Sequence, residues 1–256
     1  MDLGLKGKRA IVTGGTRGIG RAIADTLAAE GAHVAICARK AGEVHEAVAA
    51  LRAQGVMAFG AVVDIADAAQ LTSWIGSAVG QLGGLDLLVC NASALVQGNS
   101  EESWTKMFAI DVMGVQRATT AAMPHLEAAA AQHGDAAITI ISSVSAAETQ
   151  TANAYGALKA AQIHFAKGLA KEKAKLHVRI NVVSPGTVYF KGGVWHQIEQ
   201  GMPELFKTTM ARNPTGRMAT PQEIANAAVF LGSPVSAFTT GINLVVDGAI
   251  TGRVNF

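Results

Sequence analysis

The chain has 256 residues, half of them hydrophobic, enough to bury a large core as one domain of the upper single-domain size. Its 21 lysines and arginines are interspersed among 19 aspartates and glutamates, so no basic stripe for nucleic acid or a membrane surface is present. Cys37 and Cys90 lie inside apolar runs and read as reduced, buried thiols, no apolar leader precedes the first glycine turn, and no run is long enough to span a bilayer; the expected setting is the cytoplasm.

Short apolar runs alternate with longer helical patterns, the signature of βα units feeding a parallel sheet. The first strand is predicted at 9 to 13 (RAIVT), followed by a helix whose sheet-facing side carries Ile19, Ile23 and Leu27 at four-residue spacing. A strand at 33 to 38 (HVAICA) precedes a helix marked by Val44, Val48 and Leu51; a strand at 57 to 63 precedes one marked by Leu71, Ile75 and Val79. Gly31 and Gly55 suit left-handed C-caps, and Asp67 suits an N-cap. Further strands are expected at 85 to 90, 136 to 142, 178 to 184 and 243 to 247, with alanine-rich helix at 118 to 131. The Gly-, Pro- and Met-rich stretch at about 187 to 220 reads as a substrate lid. The fold class is α/β: a Rossmann-type, doubly wound, seven-stranded parallel sheet with helices on both faces, residues 1 to 256 forming a single domain.

The first βα turn reads TGGTRGIG. Gly14, Gly18 and Gly20 permit a tight turn and a close approach of pyrophosphate, Thr16, Arg17 and Ile19 stand between them, and the helix behind supplies amide donors. A strand before, a helix after and a second strand complete a βαβ unit, the context that makes a glycine-rich turn a dinucleotide site. No Gly-Lys-Ser/Thr follows, so the phosphate loop of NTPases is excluded. The second strand ends Cys37, Ala38, Arg39, Lys40. An acid there would accept hydrogen bonds from the adenosine ribose; none is present, and Arg39, helped by Arg17 or Lys40, can pair with a 2′-phosphate. NADP(H) is therefore favoured over NAD(H).

Tyr155 and Lys159 are four apart and share one helix face. An ordinary phenol, with a pKa near ~10, exchanges protons poorly at neutral pH; a neighbouring ammonium favours phenolate and makes the pair an acid/base device for a carbonyl oxygen. The seven histidines form no metal-ligand cluster, and no Gly-x-Ser-x-Gly occurs, so metal-dependent and hydrolytic chemistry is disfavoured.

In order and separation, TGGTRGIG, CNAS, ISSVS, YGALK and NVVSPGTV resemble the classical short-chain dehydrogenases/reductases over essentially the whole chain. The stretch from NPTGRMATPQEIANAAVFLGSP to TTGINLVVDG resembles members related to 3-oxoacyl-carrier-protein reductase. The resemblance implies Tyr155 as general acid in reduction and base in oxidation, and Lys159 as binder of the nicotinamide ribose. It implies Ser143 as the residue that holds the substrate oxygen, although the commonest Ser-to-Tyr spacing selects Ser142. Asn91 and Ala92 would meet the cofactor ribose, Asp64 and Ile65 the adenine, and the backbone of Pro185, Gly186 and Val188 the nicotinamide. Three positions depart from the pattern. Ser93 stands where a glycine is usual, Phe190 replaces a threonine that Thr187 could stand in for, and Asp111 replaces the active-site asparagine, whose water links the lysine to solvent. As a buried carboxylate near Lys159, Asp111 would accept the same water, strengthen the lysine's charge and retain the proton relay with altered pH dependence.

Ser93, Leu95, Glu148, Phe190 and Trp195, with His196, Leu205, Phe206 and Met210, are candidates for a largely apolar substrate pocket. The expected function is NADP(H)-dependent hydride transfer between nicotinamide and a small-molecule ketone or secondary alcohol. The alternatives are a non-catalytic NADP(H)-binding or sensing protein and, within enzymes, a sugar epimerase or dehydratase of the extended branch. The family resemblance further implies a homotetramer or homodimer pairing helices at about 101 to 131 and 153 to 174, with no nucleic acid, membrane or metal partner.

Overall fold

A computed structural model describes residues 1–149 and 151–254 of the chain. Strands β1 (Arg9–Thr13), β2 (His33–Ala38), β3 (Ala58–Val62), β4 (Leu87–Cys90), β5 (Ala136–Ile141), β6 (Val178–Pro185) and β7 (Asn243–Val246) form one parallel sheet in the order β3-β2-β1-β4-β5-β6-β7. Each predicted strand is found, with ends within two residues of those expected. The order reverses between β1 and β4, whose registers start at Arg9 with His33 on one side and Ala10 with Leu87 on the other. Such a reversal opens a crevice beyond the carboxyl ends of the strands, the usual ligand position in this architecture.

Both sheet faces are buried, so the strands are apolar throughout and their side chains alternate between two cores. Ile11, Leu88, Cys90, Ile138 and Ile180 point to α3 (Ala68–Leu82), α5 (Met113–His133) and α6 (Ala154–Lys173). Val12, Leu87, Val89, Ala137 and Val183 point to α1 (Gly18–Ala29), α2 (Ala41–Arg52) and α9 (Pro221–Gly232). Cys37 and Cys90 are unpaired and buried, and burial pushes both thiols up to about 12. Asp67 caps α3 by accepting from the amides of Ala69 at 2.9 Å and Gln70 at 3.0 Å. Gly31 and Gly55 take left-handed φ values of 80° and 84° where α1 and α2 end.

Two regions differ from expectation. The helix expected over 101 to 131 is divided into α4 (Glu101–Met107), a π turn (Phe108–Val112) and α5. The stretch read as a lid carries two short helices, α7 (Val194–Gly201) and α8 (Pro203–Ala211). Its base is closed by hydrogen bonds from Tyr189 N to Ala219 O and from Ala219 N to Thr187 O, both 2.9 Å. Among the described residues no helix is long and apolar enough to cross a membrane.

Candidate active site

The site is built beyond the carboxyl ends of β1, β4, β5 and β6. Thr13, the last residue of β1, joins the first two: its buried hydroxyl accepts from the amides of Asn91 at 3.0 Å and Ala92 at 3.1 Å. Asn91 returns the tie, its Nδ2 donating to the carbonyls of Thr13 at 3.0 Å and Gly14 at 3.1 Å. A Cβ on Gly20 would lie 2.3 Å from both Asn91 Nδ2 and the Gly14 carbonyl, so the turn closes this tightly only with glycine there. Thr13, the residue with which RAIVT ends and TGGTRGIG begins, thus sets the shape of the cofactor cradle. Its signal was present, since a hydroxyl ending a buried apolar strand needs a partner.

Helix α1 begins after Arg17 with no side-chain cap, so its first amides are left for an anion. Gly18, at φ 55°, brings its backbone so close to the Phe190 ring that a Cβ would fall 2.5 Å from it. A dinucleotide fits this cradle of bare backbone and uncapped amides. Arg39 and Lys40 are exposed at the end of β2, Asp64 is exposed after β3, and Ile65 is half-buried against Gly114. Ile19 is half-buried on α1.

Tyr155 and Lys159 stand one turn apart on α6, whose start is fixed by Asn153 accepting from the Gly156 amide at 2.8 Å. Lys159 is almost wholly buried. Its ammonium donates to the carbonyl of Ile141, the last residue of β5, at 2.9 Å and lies 3.0 Å from Asp111 Oδ1 and 5.9 Å from the centre of the Tyr155 ring. Asp111, fully buried in the π turn, accepts with Oδ2 from the Ala94 amide at 2.9 Å. At the position where the family pattern has asparagine, Asp111 thus meets Lys159 directly as an ion pair. Gln162, one turn beyond Lys159 on the same face, donates to the Asp111 carbonyl at 2.7 Å. Spacing Tyr155, Lys159 and Gln162 at four and three residues could have flagged it. Asp111 Oδ1 and Gln162 Oε1 are the buried side-chain polar atoms that make no hydrogen bond among the described residues.

The two serines after β5 separate by their partners. Ser142 donates to the Lys159 carbonyl at 3.0 Å, which turns its hydroxyl into α6. Ser143 Oγ accepts from the Ser145 amide at 3.1 Å and keeps its own proton to give.

Ser93 accepts from the Leu95 amide at 3.2 Å, stabilising a turn in which exposed Leu95 adopts a left-handed φ of 52°. Phe190, expected on the substrate side, instead lies against Gly18 and Gly193 at the cofactor turn, because Gly193 leaves room for the ring from below. Thr187 accepts from Asn213 Nδ2 at 2.8 Å, so its hydroxyl proton remains available. Pro185 and Val188 are buried at the end of β6 with Gly186 beside Asp247, where a Cβ would meet the Asp247 backbone at 2.8 Å. Trp195 is half-buried on α7, where Tyr189 joins Glu199 by a hydrogen bond and meets His196 and Phe206 edge to face. Glu148, expected to line the pocket, accepts from the Gly252 amide at 2.9 Å and so ties down the carboxyl-terminal segment.

A sequence profile described as enoyl-(acyl carrier protein) reductase matches residues 14–251. Isoepoxydon dehydrogenase of Aspergillus clavatus is 36% identical over 251 residues, covering 96% of this chain and 95% of that protein. L-Sorbose reductase of Gluconobacter frateurii, solved with NADPH and L-sorbose, superposes with a TM-score of 0.90 at 30% identity, covering 99% of this chain and 100% of the other. A short-chain dehydrogenase of Burkholderia cenocepacia, solved with NADP, superposes with a TM-score of 0.85 at 30% identity over 96% and 99% of the two chains.

Proposed function

The chain belongs to the short-chain dehydrogenase/reductase family of oxidoreductases, and from that premise we propose that it interconverts a ketone and a secondary alcohol with NADP(H), Tyr155 carrying the proton. The observation that carries this reading is the buried Lys159 ammonium, fixed by Ile141 and Asp111 beside the Tyr155 ring. One of its N–H groups donates to Ile141, its charge faces Asp111, and a remaining N–H can donate to a ribose hydroxyl.

When bound, the nicotinamide gives or takes the hydride. Tyr155 gives its phenolic proton to the carbonyl oxygen in reduction and takes it back in oxidation. Ser143 donates to the same oxygen and holds it in reach. The charge of the buried Lys159 stabilises the phenolate left behind. Asp111, ion-paired with the ammonium, serves as the proton relay in the place of the family's asparagine. Asn91, Ala92, Asp64, Ile65, Pro185, Gly186 and Val188 hold the rest of the cofactor, and Arg39, Lys40, Arg17 and Thr16 its 2′-phosphate. The dinucleotides named in the two structural relatives support this choice, and L-sorbose and isoepoxydon as namesakes of relatives support a small polar ketone or alcohol. Ser93, Leu95 and Trp195 face that substrate in this reading, and the enzyme is a cytoplasmic homotetramer or homodimer.

A panel of small ketones and secondary alcohols, assayed with NADPH and NADP⁺ beside the NAD forms, tests the proposal. Turnover that follows NADP(H) and collapses in Tyr155→Phe is the expected result. Binding of NADPH with no turnover on any member, unchanged by that substitution, would favour the sensing protein instead.

A further inference from the structure

No acid ends β2, yet the fold delivers one to the same place from the next helix. Glu43, in the first turn of α2, accepts with Oε1 from Lys40 Nζ at 2.8 Å and with Oε2 from Thr16 Oγ1 at 3.3 Å. One carboxylate thereby bridges the glycine turn after β1 and the cationic end of β2. The hydrogen bond from Lys40 is the main reason that the Glu43 carboxyl is held below its ordinary range; desolvation opposes it, and Thr16 and the charge of Arg17 add to it. The group is thus a carboxylate at neutral pH. Its place near the uncapped amino end of α2 favours the same charge.

We infer that Glu43 is a specificity-determining residue of the cofactor site, a resident anion that competes with a 2′-phosphate for Thr16, Lys40 and Arg17. The inference rests on the NADP(H) reading above and refines it. A 2′-phosphate and the Glu43 carboxylate need the same donors, and like charges at contact distance in a solvated site repel. Binding of the phosphorylated dinucleotide requires Glu43 to surrender Lys40 and Thr16. A dinucleotide with a free 2′-hydroxyl requires no such exchange, since a carboxylate in this position accepts from the hydroxyl. Glu43 therefore lowers the discrimination between the two cofactors below what Arg17, Arg39 and Lys40 would impose alone. Three half-buried or exposed partners hold it by hydrogen bond and charge, so exchange is cheap enough to leave NADP(H) usable.

Calorimetric titration of the full chain with adenosine 2′,5′-bisphosphate and with 5′-AMP reads this without turnover. In Glu43→Gln and in Glu43→Ala, the ratio of the two Kd values is expected to move toward the bisphosphate by about five- to tenfold, the effect of removing one like charge at contact distance in a solvated site. A ratio within twofold of wild type in Glu43→Gln overturns the inference, as does a shift confined to Glu43→Ala, which would mean release of bulk and not of charge. A wild-type protein that binds 5′-AMP more tightly than the bisphosphate overturns the NADP(H) reading, and the two variants still decide the role of Glu43 by the same shift.

Discussion

Two buried ion pairs sit at opposite edges of the sheet and are built differently. At the amino edge, Arg179 at the start of β6 forks onto Asp135 at 2.6 and 3.0 Å, and its remaining donors reach the carbonyls of Leu231 and Ser233 and the Ser236 hydroxyl. All of its donor nitrogens are engaged, and the residue joins β5, β6 and the end of α9. At the carboxyl edge, Lys159 and Asp111 are more deeply buried, yet among the described residues the ammonium donates to Ile141 and Asp111 Oδ1 makes no hydrogen bond. The first pair is saturated and serves cohesion. The second is buried but incompletely engaged, which is the condition a group needs if it is to take up a ligand or pass a proton.

The contrast can be broken most severely at Tyr155. Tyr155→Phe is expected to lower kcat by about 10²–10⁴ with the melting temperature unchanged, as steady-state assays and thermal melts on one preparation would record. Arg179→Met should do the converse: it leaves Asp135 and three further acceptors without their donor, at a cost of about 3–5 kcal/mol in urea unfolding, while the folded fraction retains wild-type KM. Equal loss of activity per folded molecule would erase the distinction between the two edges.

Asp111→Asn tests whether incomplete engagement matters. The amide keeps the shape and removes the charge that offsets Lys159, so the rising limb of the pH profile for alcohol oxidation should move to lower pH; superimposable profiles would show that Asp111 has no part in proton handling. The smallest effect belongs to the amino edge again. Burial pushes the Asp86 carboxyl up, but hydrogen bonds from Arg9 and the charges of Arg9 and Lys8 outweigh it and hold the group below its ordinary range. A depressed folded-state value stabilises the protein above the unfolded carboxyl range, and that stability is lost as pH falls through the folded value. The difference in unfolding free energy between wild type and Asp86→Asn should therefore shrink from pH 7 to pH 3.

Much of this was legible in the chain. Buried parallel strands are apolar on both faces and so stand out as short runs, and Gly14, Gly18 and Gly20 announce a backbone that must turn sharply. The pairing of Tyr155 with Lys159 is local, one helical turn, and needs no tertiary information. The π turn was not legible, because FAIDV carries no proline or glycine and has an ordinary helical composition. Glu43 was missed because the acid was sought at the end of the strand, whereas the fold supplies it from a helix 27 residues beyond Thr16. Asp111 as a buried carboxylate near Lys159 was legible; that the two meet directly was not, because the contact depends on the wide turn that carries a short side chain to the lysine.

That wide turn makes the region a question of phase. A π turn holds one residue more than the α-helical turn it replaces, and each helical residue advances the chain by about 100°. Downstream, Val115, Ala118, Ala122 and Leu126 must face the sheet, while upstream Met107 must stay buried beside α6. With the extra residue, both demands are met and Asp111 faces Lys159. Deleting any one residue between 108 and 112 would leave the chain able to satisfy the core or the site, but not both, so the active carboxylate depends on the length of this segment as much as on its identity.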